Sequence, residues 1–160
     1  MTKNCLLAIK GLQFDASEED MEIETVTAAE YYKKNNSHYV IYEEAFEGME
    51  GTTRNIIKFR EDSFDVTKRG IMNVHMVFEE NKKNMTNYST PFGDILIGID
   101  ARKISMQESS RKIQVNVDYA LEVNYEHLAD CRITMNIQAK GEEFSLLGIG
   151  QPPQMPINGA

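Results

Sequence analysis

From His38 onward the chain alternates apolar and polar residues in short runs. HYVIYEEA (38–45), TTRNIIKF (52–59) and FDVTKRG (64–70) are three such runs, and Val74, Met76 and Phe78 continue at the same period of two. Ile95, Ile97 and Ile99 follow, and then the two clearest cases, KIQVNVDYALEV (112–123) and CRITMNIQA (131–139). A period of two puts successive side chains on opposite faces of a strand, so each run has one face to bury and one to wet, as in an antiparallel sheet. Upstream, residues 4–14 carry Leu6, Leu7, Ile9, Leu12 and Phe14, and Met21–Tyr32 is rich in Thr, Val and Tyr, types that suit a pleated surface. Polar turn segments separate the runs: DASEED (15–20), KKNNS (33–37), REDS (60–63) and NKKN (81–84), with NYEHLAD (124–130) as a hairpin connection.

No stretch long enough for a stable helix shows a 3.6-residue period; residues 15–21, 46–50 and 126–130 have room for one helical turn at most. The pattern predicts an all-β chain of about ten strands with short hairpin links. An open meander of that length leaves two exposed edges, and closing it into an antiparallel up-and-down barrel removes them. Closure sets the first and last strands side by side, which could bring Cys5 towards Cys131; two unlinked thiols are the expected state in a reducing compartment.

In a meander, alternate connections share an end. FEGMEG (46–51), RGIMN (69–73), TPFG (90–93) and DASEED then ring one mouth, and the plain charged turns ring the other. The first mouth mixes carboxylates, cations, hydroxyls and apolar tips, the combination expected of a binding site at a barrel rim. If Phe64 and Val66 face inward, so does Lys68; if Val40 faces inward, so do Tyr42 and Glu44. An inward lysine needs a partner, and Glu44 is the natural one. The opposite parity would select Glu43 with Tyr39. Against a binding role stands the plainer reading, a rim salt bridge with packed tyrosines.

The 160 residues and a formal net charge of −8 change the picture by exclusion. The length suits a single domain, read as residues 1–140 followed by a Gly/Pro-rich irregular tail, 141–160. An acidic chain without clustered Lys and Arg is a poor match for a phosphate backbone, so no nucleic-acid partner is expected. No apolar run approaches a membrane span, and the apolar stretch before Lys10 is too short for a signal peptide, which leaves the cytoplasm as the expected location.

YVIYEE, GMEGTT, a basic residue before Gly70, MVFEE and YSTPFG, in this order and spacing, resemble the bacterial YwiB-like family. The resemblance runs from about Val26 to Ala139. It implies a calycin-like, lipocalin-like β-barrel of unknown function with a possible ligand cavity, and brings no catalytic residues. Two departures stand out: the family is expected to favour Arg where this chain has Lys68, and the absence of Trp removes the G-x-W signature of true lipocalins.

His38, His75 and His127 are scattered without metal-ligand spacing, and no P-loop, G-x-G-x-x-G or G-x-S-x-G is present. Glu43 and Glu44 are adjacent in a strand and point apart, so they cannot form a glycosidase pair. No catalytic residue, metal or cofactor is therefore expected. The reading is a barrel that binds a small molecule at its FEGMEG mouth, using Tyr42, Glu44, Thr53, Lys68, Phe78 and Tyr88. The alternative is a side-chain-filled barrel that serves as a noncatalytic protein-protein interaction module.

Overall fold

The structure, a computed structural model of the chain, describes residues 3–11 and 24–140; the expected DASEED turn and the 141–160 tail lie outside the described residues. Ten strands account for nearly all of the described chain: β1 (Lys3–Lys10), β2 (Glu24–Lys34), β3 (Ser37–Ala45), β4 (Thr52–Phe59), β5 (Ser63–Gly70), β6 (Val74–Glu79), β7 (Lys82–Thr90), β8 (Gly93–Glu108), β9 (Lys112–Val123) and β10 (Glu126–Ala139). No helix occurs among the described residues.

The strands form one antiparallel sheet in the order β6-β5-β4-β3-β2-β1-β10-β9-β8-β7. First and last strands are partners, with Cys5 opposite Ala139 and Lys10 opposite Thr134. Both thiols are free, because Cys5 meets the end of β10 farthest from Cys131. The ladder is instead interrupted between two strands consecutive in the chain, β6 and β7. They touch through the reciprocal backbone bonds of Asn73 and Ser89, each 2.9 Å, and through Asn84 Nδ2, which donates to the Val77 carbonyl at 3.0 Å. The result is a nearly closed up-and-down barrel, consistent with a calycin-like architecture.

Turn chemistry sets the hairpins. Asn35 and Asn36 adopt φ of 53° and 66° between β2 and β3, left-handed values that asparagine tolerates better than most residues. Asn124 and Tyr125 do the same between β9 and β10, at 51° and 72°. That tight turn corrects the expectation of a long NYEHLAD connection: β10 begins at Glu126, and the alternation of its early part is masked because exposed Leu128 stands among polar residues.

One parity of each strand supplies the core. Leu7, Ile9, Val40, Ile57, Val66, Met76, Ile99, Val115, Val117, Ile133 and Met135 are buried within it. Near the end of the barrel that carries the 60–63 and 80–81 turns, a row of aromatic rings crosses the interior. Phe64 stands 6.3 Å from Phe59 and 5.7 Å from Phe78, and Phe78 lies edge-on to Tyr119 at 5.0 Å. Such edge-to-face pairs contribute roughly 0.5–1.5 kcal/mol beyond the area they bury. The middle of the barrel is packed side chain rather than a channel.

Candidate functional site

The parity argument for Glu44 over Glu43 holds. Glu43 points to solvent, where it accepts from Thr52 Oγ1 at 2.9 Å and pairs with Arg54 at 3.2 Å. Glu44 points inward and meets Lys68 Nζ at 3.3 Å, with 9% and 3% of the two side chains exposed. The register explains the meeting: Glu44 faces Thr53, Asn55 faces both Tyr42 and Lys68, and Lys68 faces Val74. Three adjacent strands thus deliver a carboxylate, an amide and an ammonium to one interior patch.

Asn55 is the residue that the sequence reading missed. It is fully buried and joins the other two, donating from Nδ2 to Glu44 Oε1 at 3.1 Å and accepting from Lys68 Nζ on Oδ1 at 2.7 Å. Its signal was available, because an inward Thr53 puts the residue two places on, a strong hydrogen-bonding amide, on the same face.

Around this triad lie further polar groups. Thr53 Oγ1 accepts from the Met72 amide at 3.3 Å, and the Tyr88 hydroxyl donates to Met72 Sδ at 3.4 Å. Burial lowers the Lys68 ammonium from its ordinary value, while the charge and hydrogen bond of Glu44 pull it back up. Burial raises the hydroxyls of Tyr42 and Tyr88, with the Glu44 carboxylate adding to both; Tyr88 is pushed up to about 12. The two tyrosines are thus neutral donors facing a carboxylate.

All six expected site residues are buried. Tyr42, Glu44, Thr53 and Lys68 gather with Asn55 at the FEGMEG end, and Tyr88 reaches them through Met72. Phe78 sits elsewhere. It faces Phe64 at the opposite end of β6 from Val74, within the aromatic row.

Among the described residues, the β2–β3 ladder ends before it reaches Glu44. The β2–β3 ladder runs from Lys34↔Ser37 to Glu30↔Ile41 and stops there. Beyond it, Glu24–Ala29 keep β1 as their partner and Tyr42–Ala45 keep β4. Thr25 and Thr27, inward by parity, are only half-buried along this parting.

Among the described residues, no group of three or more His, Cys, Asp or Glu side chains could hold a metal ion. No helix there is long and apolar enough to cross a membrane.

Residues 7–135 match the family described as a domain of unknown function, DUF1934. The chain belongs to that family. Its fold is similar to that in the crystal structure of the ywiB protein from Bacillus subtilis, with a TM-score of 0.70 and 20% sequence identity, covering 88% of this chain and 94% of that one. At that identity the likeness carries the fold alone. A comparison with curated proteins gives no match.

Proposed function

We propose that this DUF1934 barrel is a noncatalytic small-molecule-binding protein of the bacterial cytoplasm, whose ligand reaches the Glu44–Asn55–Lys68 triad where β2 and β3 part. The buried ion pair beside the end of the β2–β3 ladder carries this reading. Removing two charges from water costs several kcal/mol per ion, and a well-packed apolar pair often serves stability as well or better. A barrel needing only stability would gain little from such a pair. A polar ligand entering beside it would find a carboxylate, an ammonium, an amide and phenolic donors already oriented. The aromatic row closes the far end of the axis, so the ligand does not thread the barrel.

Native mass spectrometry of the full chain purified from its own host tests the reading. A co-purifying small molecule is expected, and it should be lost from a folded Lys68→Met/Glu44→Gln double variant. Bare protein, or a ligand retained by the double variant, overturns it.

A second reading, a protein-interaction module, draws on apolar side chains exposed at the same end: Phe92 at 84% in the β7–β8 turn and Tyr125 at 76% in the β9–β10 turn. It predicts a co-purifying polypeptide that a Phe92→Ser variant releases.

A further inference from the structure

The opposite end of the barrel carries a cavity of about 180 Å³ that the sequence reading left as plain charged turns. Core side chains Cys5, Ile113 and Ile137 form part of its lining. Lys3, Arg111 and Lys112 also line it, from the start of β1 and from the β8–β9 hairpin. The hairpin is anchored: Ser109 N donates to the Lys112 carbonyl at 2.8 Å, and Ala139 N donates to the Arg111 carbonyl at 2.9 Å.

The remaining wall mixes the two-way groups of Asn4, Ser109 and Ser110 with acceptors. The Tyr31 hydroxyl lies 2.8 Å from His38 Nδ1, and His38 Nε2 lies 3.9 Å from a Glu108 carboxylate oxygen. His38 is buried and stacked on Phe59 with ring centroids 4.9 Å apart, so its neutral form is favoured. With the Nε2 proton turned to Glu108, Nδ1 accepts from Tyr31, and the tyrosine oxygen is left with its lone pairs. Tyr31 and Glu108 both line the cavity.

We propose that this cavity binds a small monocarboxylate with a short branched apolar tail, the tail against Cys5, Ile113 and Ile137 and the carboxylate between Arg111 and Lys3. Lys112 alternates with buried Ile113 and so turns its side chain to the outer face, which leaves Lys3 and Arg111 against the single carboxylate of Glu108 and room for one further negative charge. An apolar floor under a cationic rim is the arrangement that an amphipathic anion complements, and Arg111 offers a planar fork to a carboxylate. At about 180 Å³ the recess is well below what a drug-sized molecule needs, which favours a ligand of a few heavy atoms such as a short branched acid. Glu108 and the Tyr31 oxygen disfavour a second carboxylate.

Amide NMR titration of the full chain with isovalerate tests this. Saturable shifts are expected at Cys5, Tyr31, Ile113 and Ile137. The neutral isostere 3-methylbutan-1-ol should bind at least about tenfold more weakly, as should Arg111→Gln and, separately, Lys3→Gln, each losing one charge-assisted contact. Both substitutions sit at the rim of the cavity, and an otherwise superposable spectrum shows the fold intact. Shifts that fail to saturate, shifts centred on the FEGMEG end, equal binding of the alcohol, unchanged affinity in both variants, or tighter binding of valine than of isovalerate would each overturn the assignment.

Discussion

The Lys68 ammonium and the Glu44 carboxylate stand 3.3 Å apart inside the barrel, almost wholly withdrawn from water. Removing one member leaves the other as an uncompensated buried charge. Lys68→Met alone is therefore expected to cost about 3–5 kcal/mol, the usual penalty for breaking such a pair from one side. Adding Glu44→Gln removes the stranded charge and keeps an oxygen for Asn55 Nδ2, so the double variant should recover most of the loss. Urea denaturation of the two single variants and the double closes the cycle. Additive losses would show that the two groups are not coupled.

Gly70 adopts φ of +136° where β5 ends, and an added Cβ would lie 2.2 Å from the Thr52 carbonyl oxygen. Asn73 ties the same residue down, its Oδ1 accepting from Gly70 N at 3.2 Å and its Nδ2 donating to the Gly70 carbonyl at 2.9 Å. Backbone on both sides leaves nowhere for a methyl group to go. Gly70→Ala should cost about 3 kcal/mol, from strain plus displacement of β4. Gly48, at φ of +80° with no atom within 4 Å of where a Cβ would stand, offers the control: Gly48→Ala carries the conformational cost alone, about 1–2 kcal/mol. Equal losses on thermal unfolding would rule out the steric argument at Gly70.

The residues that were legible from sequence are those whose neighbours alternate without interruption. Val40, Tyr42 and Glu44 share a parity, as do Phe64, Val66 and Lys68, and strict alternation fixed which side chains meet before any register was known. Asn55 escaped because TTRNIIKF breaks the pattern with adjacent Ile56 and Ile57, of which only Ile57 is fully buried. The parting of β2 from β3 was invisible, since alternation reports faces and says nothing about where a ladder ends. The second cavity was hidden for a related reason. Its cations come from the start of β1 and from the β8–β9 hairpin, residues of the solvated kind, and only the pairing of distant strands brings them together over Ile113 and Ile137.

The buried phenols give the protein an alkaline limit. Burial raises Tyr31, Tyr42, Tyr88 and Tyr119 from the ordinary value of 10.0, Tyr88 to about 12. In the unfolded chain these groups lose protons from about pH 10, while in the folded chain they hold them, so folding is favoured fully below that point. The advantage drains as pH rises from 10 towards the folded values, because the unfolded state then binds fewer protons. Phenolate absorbance should show a late titration phase for these four residues that moves to lower pH in denaturant, with stability falling above pH 10. A Tyr88→Phe variant should shrink that phase. A single phase unmoved by denaturant would contradict the burial.

Asn84 holds the one seam between strands that follow each other in the chain. Its Nδ2 donates to the Val77 carbonyl at 3.0 Å and lies 3.4 Å from Glu79 Oε1, bridging β7 to β6 where the ladder is missing. A side-chain amide here does what a backbone pair does elsewhere in the sheet, and its loss exposes a carbonyl without a replacement donor. Asn84→Ala is expected to lower stability by about 1–2 kcal/mol, the range for a part-buried bond to backbone. The effect should be local, because Asn73 and Ser89 still clasp the seam at its other end. Hydrogen exchange should quicken in β6 and the first half of β7, with the β1–β10 ladder unchanged. Uniform quickening across the barrel would mean that the seam opens only with the whole fold, and that Asn84 adds stability without setting where the barrel first comes apart.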